Sequence, residues 1–466
     1  MDYDVLVLGG GIIGCSIAYE LSKYSLNIAL IEKEYDIAND VAMINASMAF
    51  DGIECSDSLT AKLENIGNNL IDEITTKFNV PFKRVNTLLV SSNEKYMACL
   101  KELKDKKFNN YGCNVSFVES SGLYDLEPGL QMKAAEGVYS TNTGVLCPYD
   151  LAIAYGEVAF DNGVNFRLEE TVLDIQKLNK GFRIITNKNR FTCKMVVNTI
   201  PDKDYSLEEK KEAAGKDVPT EVANYFIIDK RYYDIFSNIV FIAGDNGEII
   251  QCMPTVDDKT VVSIVEKSES SLEQLLDKMK PILGSISDSD IMYYYKAPFF
   301  QDKIIIDDSY IDKGYIKIKG KHYAEVTMTP AISKIVCETV ISNVRCSLKK
   351  HYIDKRREFY RFRDLSNDER NQLIKMDKSY GKIICACRLI TEGEIIDAIR
   401  RPLGARTVEG IKRRTGVMLG ECKGAYCLNK IVSIIARETN KNFNDIVNDS
   451  KGSNILVGRI KEFNEI

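Results

Sequence analysis

The chain has 466 residues, of which 45% are hydrophobic and 28% are charged, and its formal net charge is -5. This length and composition predict two or three globular domains with substantial cores. The negative charge argues against nucleic acid as a partner. His322 and His351 are the only histidines, which nearly excludes His-rich metal sites and most Ser/His or Cys/His catalytic arrangements.

The N-terminus and the cysteines predict the cellular location. Residues 1–4 lead directly into an apolar strand without a basic segment, which argues against a signal peptide. No stretch of about 18 uncharged apolar residues predicts a membrane span. Nine of the 13 cysteines are scattered singly along the chain, as is typical of reduced, mostly buried thiols. We expect a cytoplasmic protein without a transmembrane segment.

The first predicted unit is a strand, a glycine turn, a helix and a second strand. Residues 3–8 form a mostly apolar run, as in a strand buried on both faces. Gly9 then permits a tight turn, Gly11 admits a pyrophosphate close to the backbone, and Gly14 lets the helix pack on the strand. The helix N-terminus suits phosphates, and Glu32 at the end of the second strand suits ribose hydroxyls. The pattern favours FAD or NAD over NADP; the alternative is a glycine turn in a generic α/β fold.

The middle of the chain predicts α/β structure followed by mixed β structure. The predicted elements are a helix over 61–78, a helix that follows residues 144–150 and runs to about 162, and strands over 87–90 and 163–168. A hairpin around 187–189 precedes a buried strand at 195–198, which we expect to return to the first sheet.

The C-terminal segment contains four cysteines arranged as two pairs. They are Cys385, Cys387, Cys422 and Cys427. The first pair follows the highly charged stretch 354–378, and the second pair precedes a predicted helix over 428–438. Between the pairs, Thr391 and Thr407 are predicted N-caps of two short helices. Four thiolates suit Zn²⁺ or a [2Fe-2S] cluster equally well on spacing alone, and disulfides are not typical of a cytosolic chain.

From residue 381 to about 460 the chain resembles the [2Fe-2S] domain of the bacterioferritin-associated-ferredoxin (BFD) type. The matching stretches are 391–395, 401–407, 410–415 and 420–427. The resemblance favours iron–sulfur over zinc and implies that Cys385, Cys387, Cys422 and Cys427 are the metal ligands.

The whole chain resembles the D-amino-acid-oxidase (DAO) superfamily of flavoproteins, and more closely the bacterial anaerobic-type glycerol-3-phosphate dehydrogenases and their 2-hydroxyglutarate-oxidase relatives. The matching stretches are 63–68, 80–84 and 144–149. The implied fold is a Rossmann-type α/β FAD-binding domain with a mixed β substrate domain over residues 1–350. A charged connector over 351–379 and a small helical [2Fe-2S] domain over 380–466 follow.

This resemblance implies a FAD-dependent dehydrogenase with FAD and a [2Fe-2S] cluster as cofactors. The implied FAD contacts are Gly9, Gly11, Ile12, Ile13, Gly14, Glu32, Lys33 and Asn45. A small hydroxy acid or polyol phosphate, with glycerol 3-phosphate as the first choice, would pass a hydride to the flavin. Electrons would then leave singly through the cluster to an acceptor subunit or a quinone-linked partner.

Several positions depart from the family pattern where the flavin ring is expected. Phe50 occupies the place of a histidine, Glu325 replaces a glycine before the last long helix, and the substrate arginine is absent from residues 293–298. The candidate catalytic residues of an altered pocket are Tyr295, Lys296 and His322. The alternatives are a catalytically degenerate electron-relay or partner-docking subunit, and a chain that binds no flavin and only docks partners.

Overall fold

A computed structural model describes residues 1–39, 47–53, 57–91, 115–134, 136–201, 203, 205, 221–228, 235–244, 247–257, 259–456 and 458. The helices are α1 Ile12–Ser22, α2 Ser58–Phe78, α3 Ser120–Leu126, α4 Pro148–Asp161, α5 Leu272–Leu283, α6 Glu325–Asn343, α7 Asn367–Met376, α8 Glu392–Arg400, α9 Val408–Thr415 and α10 Leu428–Thr439. No helix in this described part of the chain combines the length and apolarity needed to cross a membrane.

The strands of the described residues pair into two large and two small sheets. In chain order they are β1 Tyr3–Leu8, β2 Ile28–Ile31, β3 Met48–Ala49, β4 Phe82–Arg84, β5 Thr87–Ser91, β6 Val115–Glu119, β7 Glu136–Ser140, β8 Gly144–Leu146, β9 Asn165–Arg167, β10 Val172–Lys177, β11 Phe182–Thr186, β12 Arg190–Asn198, β13 Glu221–Ile228, β14 Ile239–Ala243, β15 Ile249–Pro254, β16 Thr260–Glu266, β17 Ile291–Phe299, β18 Ile305–Tyr310, β19 Tyr315–Lys319, β20 Ile383–Cys385 and β21 Ile390–Thr391.

The first sheet is the predicted Rossmann sheet. Its parallel strands run in the order β9-β2-β1-β12-β19, and β10 and β11 extend it as an antiparallel hairpin. Val5 and Val7 of β1 pack in the core shared with α1, α4 and α6, whereas Leu6 and Leu8 pack against the hairpin side. Because both faces of β1 are covered by other parts of the protein, its sequence is a nearly continuous run of apolar residues. The predicted return of residues 195–198 to this sheet is confirmed by the pairing of β12 with β1.

The second sheet has the order β17-β13-β16-β15-β14-β5-β7-β6 and is antiparallel except for the parallel pair β5–β14. One face of this sheet packs against α5, and its side chains, which include Phe226 and Ile264, form a buried cluster with those of the helix. The opposite face carries Tyr225, Ala297 and Phe299, which pack with Tyr323 just before α6. This second face therefore packs on the side of the sheet that faces the dinucleotide-binding part of the chain.

The C-terminal segment forms a small helical unit with its own core. The β20–β21 ribbon and helices α8, α9 and α10 enclose a cluster that includes Cys385 and Cys427. The predicted caps are confirmed: Thr391 forms a capping box with Glu394, and the Thr407 hydroxyl accepts a hydrogen bond from the Gly410 amide at 2.9 Å. The stretch 351–379, expected as a connector, contains α7. The predicted fold class is confirmed, since a Rossmann sheet, a mixed β sheet and a small helical unit are all present.

Candidate functional site

The glycine turn between β1 and α1 is too tightly packed for side chains at its key positions. Gly9 has φ +101°, a conformation that glycine adopts readily and other residues do not. A Cβ atom at Gly14 would lie 2.0 Å from the Gly9 carbonyl oxygen. The Thr199 hydroxyl donates to the Leu8 carbonyl at 2.8 Å and supports the turn from the end of β12. The turn thus lies at the N-terminus of α1, where the helix dipole suits a bound anion.

Glu32 lies against this turn rather than apart from it. Its carboxylate accepts hydrogen bonds from the Gly10 amide at 2.6 Å and the Glu34 amide at 2.9 Å. Burial raises the pKa of this carboxyl above its ordinary value, against the effect of the two amides. A Cβ atom at Gly10 would lie 2.9 Å from the Glu32 side chain. Gly10, which sequence reasoning did not single out, is therefore needed for the approach of Glu32.

The other predicted FAD contacts occupy different surroundings. Ile12 and Ile13 are buried in the first turn of α1. Lys33 is exposed, and its Nζ atom lies 3.8 Å from a Glu34 carboxylate oxygen. Asn45 falls outside the described residues. The contacts of all these residues with FAD remain predictions.

The residues that depart from the family pattern come together in the fold. The Phe50 ring contacts the Tyr323 ring edge-on at 5.0 Å between centroids, and Phe299 stacks on Tyr323 at 5.1 Å. The Phe50 amide donates to the Thr327 hydroxyl at 3.0 Å, which ties this segment to the first turn of α6. Glu325 begins that helix and is buried, and a carboxylate at a helix N-terminus is stabilised by the helix dipole. Phe50, Tyr323 and Phe299 thus form an aromatic cluster beside the start of α6.

The three candidate catalytic residues are not brought together. His322 is buried, its Nδ1 atom accepts the Ala324 amide hydrogen at 3.1 Å, and burial lowers its pKa to about 4. Tyr295 stacks on Tyr225 at 4.8 Å, and burial raises its pKa to about 12. The Lys296 Nζ atom lies 2.7 Å from a Glu269 carboxylate oxygen. Catalysis by any of them remains a prediction.

A cavity of about 630 Å³ lies between the second sheet and the C-terminal unit. Tyr293 and Tyr295 line it from β17, and Cys147 lines it from the turn before α4. Arg388 and Leu419 line it from the C-terminal unit. Of the three candidate catalytic residues, only Tyr295 is among the described residues that line this cavity.

The cavity is rich in positive charge. Among the described residues, seven Lys and Arg side chains and three Asp side chains line it. Lys259 and Arg388 both approach Asp257, at 3.3 and 3.1 Å respectively. Burial lowers the pKa of Lys259, and repulsion from Arg388 and Arg363 lowers it further against the attraction of Asp257. Two cations thus share one carboxylate at this point of the cavity, which favours an anion there.

The four C-terminal cysteines form two pairs. The Cys387 and Cys422 sulfur atoms are 3.5 Å apart. Cys427 lies in the core, where burial and then the neighbouring Cys385 thiol raise its pKa to about 11. Two thiolates on one tetrahedral metal are about 3.8 Å apart. Among the described residues, no three His, Cys, Asp or Glu side chains are close enough to hold a single metal ion. The separation of Cys387 and Cys422 suits two thiolates on one metal, as on each iron of a [2Fe-2S] cluster.

The C-terminal unit docks on the dinucleotide-binding part through buried ion pairs. Arg401 contacts Glu157 of α4 at 3.1 Å, and Arg356 contacts the same carboxylate from the connector. The Tyr293 hydroxyl of β17 donates to the Gly420 carbonyl at 2.9 Å, in the loop before Cys422. Burial raises the pKa of Glu157, but Arg356 and Arg401 outweigh it and hold that pKa below its ordinary value.

Comparisons with known proteins cover both ends of the chain. A model of the FAD dependent oxidoreductase family, DAO, matches residues 4–339, which include the glycine turn. A model of the BFD-like [2Fe-2S] binding domain matches residues 383–437, which include the four cysteines.

Individual relatives and solved structures agree with these matches. A glycerol 3-phosphate dehydrogenase from Caloramator mitchellensis is 32% identical over 98% of this chain and 99% of its own length. A glycerol 3-phosphate oxidase from Mycoplasma pneumoniae is 24% identical over 71% of this chain and 92% of its own. The structure of L-alpha-glycerophosphate oxidase from Mycoplasma pneumoniae with FAD bound is similar with a TM-score of 0.67. It is 21% identical and covers 77% of this chain and 99% of that chain.

Proposed function

The chain belongs to the DAO family of FAD-dependent oxidoreductases and ends in a BFD-like [2Fe-2S] binding domain, and on that basis we propose that it is a glycerol-3-phosphate dehydrogenase. The prediction of an oxidoreductase that uses FAD and a [2Fe-2S] cluster is confirmed by these family matches. The substrate and the route of the electrons are the proposal. Glycerol 3-phosphate would be oxidised at the flavin, and the electrons would leave through the cluster.

One observation carries this choice of substrate and reaction. A relative that matches both the oxidoreductase part and the C-terminal domain is a glycerol 3-phosphate dehydrogenase, whereas a related oxidase covers 71% of this chain. A chain that retains the cluster domain has a built-in electron acceptor next to the oxidoreductase part. This supports a dehydrogenase that hands electrons to a partner, either an acceptor subunit or a quinone-linked protein.

The glycine turn and Glu32 support the proposed FAD contacts. Gly9, Gly11 and Gly14 would let the pyrophosphate reach the start of α1. A carboxylate has about four lone-pair sites, so the two amide contacts of Glu32 leave sites for ribose hydroxyls. FAD, when bound, supplies the hydride acceptor. The protein's part is to bind and orient the cofactor and the substrate.

The paired thiols support the proposed cluster ligands. Cys387 and Cys422 would hold one iron, and Cys385 and Cys427 the other. The amide of Gly424 and the Cys387 thiol lower the pKa of Cys422 below its ordinary value, which favours the thiolate that a metal needs.

A second function is favoured by the aromatic cluster of Phe50, Tyr323 and Phe299. A chain with these apolar rings in place of polar flavin contacts suits an electron-relay subunit that accepts electrons from another protein. Such a subunit would keep both cofactors but would not oxidise glycerol 3-phosphate.

The two functions differ in the response of the bound flavin to substrate. The protein is purified anaerobically and titrated with glycerol 3-phosphate while the flavin absorbance is followed. The dehydrogenase bleaches with this substrate but not with glycerol alone. A flavin that bleaches with dithionite but stays oxidised with glycerol 3-phosphate contradicts the proposed function and supports the relay.

A further inference from the structure

The cavity between the second sheet and the C-terminal domain suggests how the substrate is selected. We propose that it binds the phosphate group of the substrate between Lys259 of the β15–β16 turn and Arg388 of the C-terminal domain. This inference rests on the proposed function and deepens it. It gives the C-terminal domain a second role, because the domain would select the substrate as well as receive its electrons.

The cavity has the size and the walls of a ligand site. Its volume of about 630 Å³ falls within the range of about 300–1,000 Å³ that is common for small-molecule sites. Ser47 lines it at the start of the segment that leads to Phe50, and Tyr295 lines it from the sheet face that continues towards Tyr323. Both residues belong to segments that continue towards Phe50 and Tyr323, where the family pattern places the flavin ring.

Lys259 and Arg388 have one carboxylate between them, whereas the other five Lys and Arg side chains of the described cavity lining each lie beside a carboxylate. Asp257 is shared between Lys259 and Arg388, so this trio keeps a net positive charge. The side chains of Lys259 and Arg388 are 13% and 18% exposed, which limits screening by water. A phosphate monoester dianion is the small substrate group that best matches two partly buried cations around one carboxylate.

The Arg388 guanidinium has a second buried N–H group that does not bond to Asp257. One guanidinium nitrogen, Nη2, contacts Asp257, whereas the buried Nε–H finds no acceptor among the described residues. A buried N–H without an acceptor is destabilising. A phosphate oxygen can accept from it, and the planar guanidinium suits phosphate oxygens in pairs.

The position of Arg388 links substrate binding to the cluster. Arg388 directly follows Cys387, and the Cys387 sulfur is 3.5 Å from that of Cys422. The segment that contains the proposed cluster ligand Cys387 would therefore also contain one substrate contact, Arg388. A phosphate bound there lies at the boundary between the two domains.

The experiment measures substrate binding in the loaded enzyme. Arg388→Met and Lys259→Met are each expected to raise the KM for glycerol 3-phosphate about 10- to 100-fold, as for a lost hydrogen bond to a charged group, with the limiting rate of flavin reduction unchanged. Arg388→Lys restores part of the loss. Inorganic phosphate inhibits the wild-type enzyme competitively, and both Met variants weaken that inhibition. Arg400→Met is the matched control, because Arg400 is exposed and paired with Glu438.

The possible outcomes separate this inference from the proposed function. If the wild-type enzyme turns over glycerol 3-phosphate but both Met variants keep the wild-type KM and phosphate inhibition, the proposed phosphate site is wrong. The proposed function is then unaffected. A wild-type enzyme that binds phosphate through Arg388 and Lys259 but does not oxidise glycerol 3-phosphate supports the site and contradicts the function. Iron content is measured in every variant; if Arg388→Met loses iron, Lys259→Met decides the outcome.

Discussion

Arg414 donates hydrogen bonds to both carboxylate oxygens of Asp36, at 2.6 and 2.8 Å. Both side chains are almost fully buried. Asp36 belongs to the segment that follows Glu32, and Arg414 belongs to α9 of the C-terminal domain. The two domains are therefore joined directly beside the proposed FAD site, and the fold of one supports the fold of the other.

Breaking this pair is expected to destabilise the whole protein. Asp36→Asn leaves a buried guanidinium without its partner charge, which costs about 3–5 kcal/mol of unfolding free energy. Urea unfolding of the variant measures the loss. The control Arg400→Met removes an exposed guanidinium, and because Glu438 keeps its contact with Arg437, it should cost less than about 1 kcal/mol. Equal stabilities of the two variants would contradict the structural role of Asp36.

The glycine turn makes a sharp prediction about cofactor retention. Gly14→Ala places a methyl group 2.0 Å from the Gly9 carbonyl oxygen, so the turn must open and FAD should be lost during purification. Overpacking of this kind costs about 1–3 kcal/mol or more. Gly381→Ala is the control, since its added carbon would meet only the Ile374 side chain at 3.3 Å. Full FAD occupancy in Gly14→Ala would show that the turn does not carry the cofactor.

Local patterns predicted the dinucleotide fold well, because strand, turn and helix are adjacent in sequence. The contact of Glu32 with the turn follows from the pairing of β2 with β1. The contact between Asp36 and Arg414 spans 378 positions in the sequence, and no local pattern marks it. The sequence around Lys259 likewise gives no sign that this side chain lies beside Arg388, because the two residues are brought together only by the fold. The choice of metal was not predictable from the cysteine spacing alone, since that spacing suits zinc as well as iron.

His322 should make the protein more sensitive to acid. Burial lowers its folded-state pKa to about 4, compared with about 6.5 in an unfolded chain. Below pH 6.5 the unfolded chain binds the proton first, so stability falls as pH falls from about 6.5 to about 4 and then levels off, with a total loss of about 3 kcal/mol. His322→Asn should flatten the stability curve over this pH range.

The control for this titration is His351→Asn. His351 is exposed, so its replacement removes an imidazole without changing the buried surroundings of His322. A curve of equal slope in His322→Asn and the wild-type protein would show that His322 does not cause the acid sensitivity.

Tyr293 should hold the cluster loop in place. Its hydroxyl donates to the Gly420 carbonyl at 2.9 Å and contacts the Met418 carbonyl at 3.3 Å. Tyr293→Phe removes about 1 kcal/mol of hydrogen bonding, and iron loss to a chelator should become about fivefold faster. Tyr294→Phe is the matched control, because that hydroxyl bonds to Asn224 within the second sheet. Identical rates of iron loss in both variants would contradict this role.

The most direct test of the proposed function follows substrate electrons into the cluster. The anaerobic wild-type enzyme is mixed with glycerol 3-phosphate, and flavin absorbance and the electron paramagnetic resonance of the cluster are recorded together. The flavin should bleach and the signal of the reduced cluster should appear. In Cys422→Ser the flavin should still bleach, but no cluster signal should form. A wild-type flavin that stays oxidised, or one that bleaches without a cluster signal, would contradict electron transfer from glycerol 3-phosphate through FAD to the [2Fe-2S] cluster.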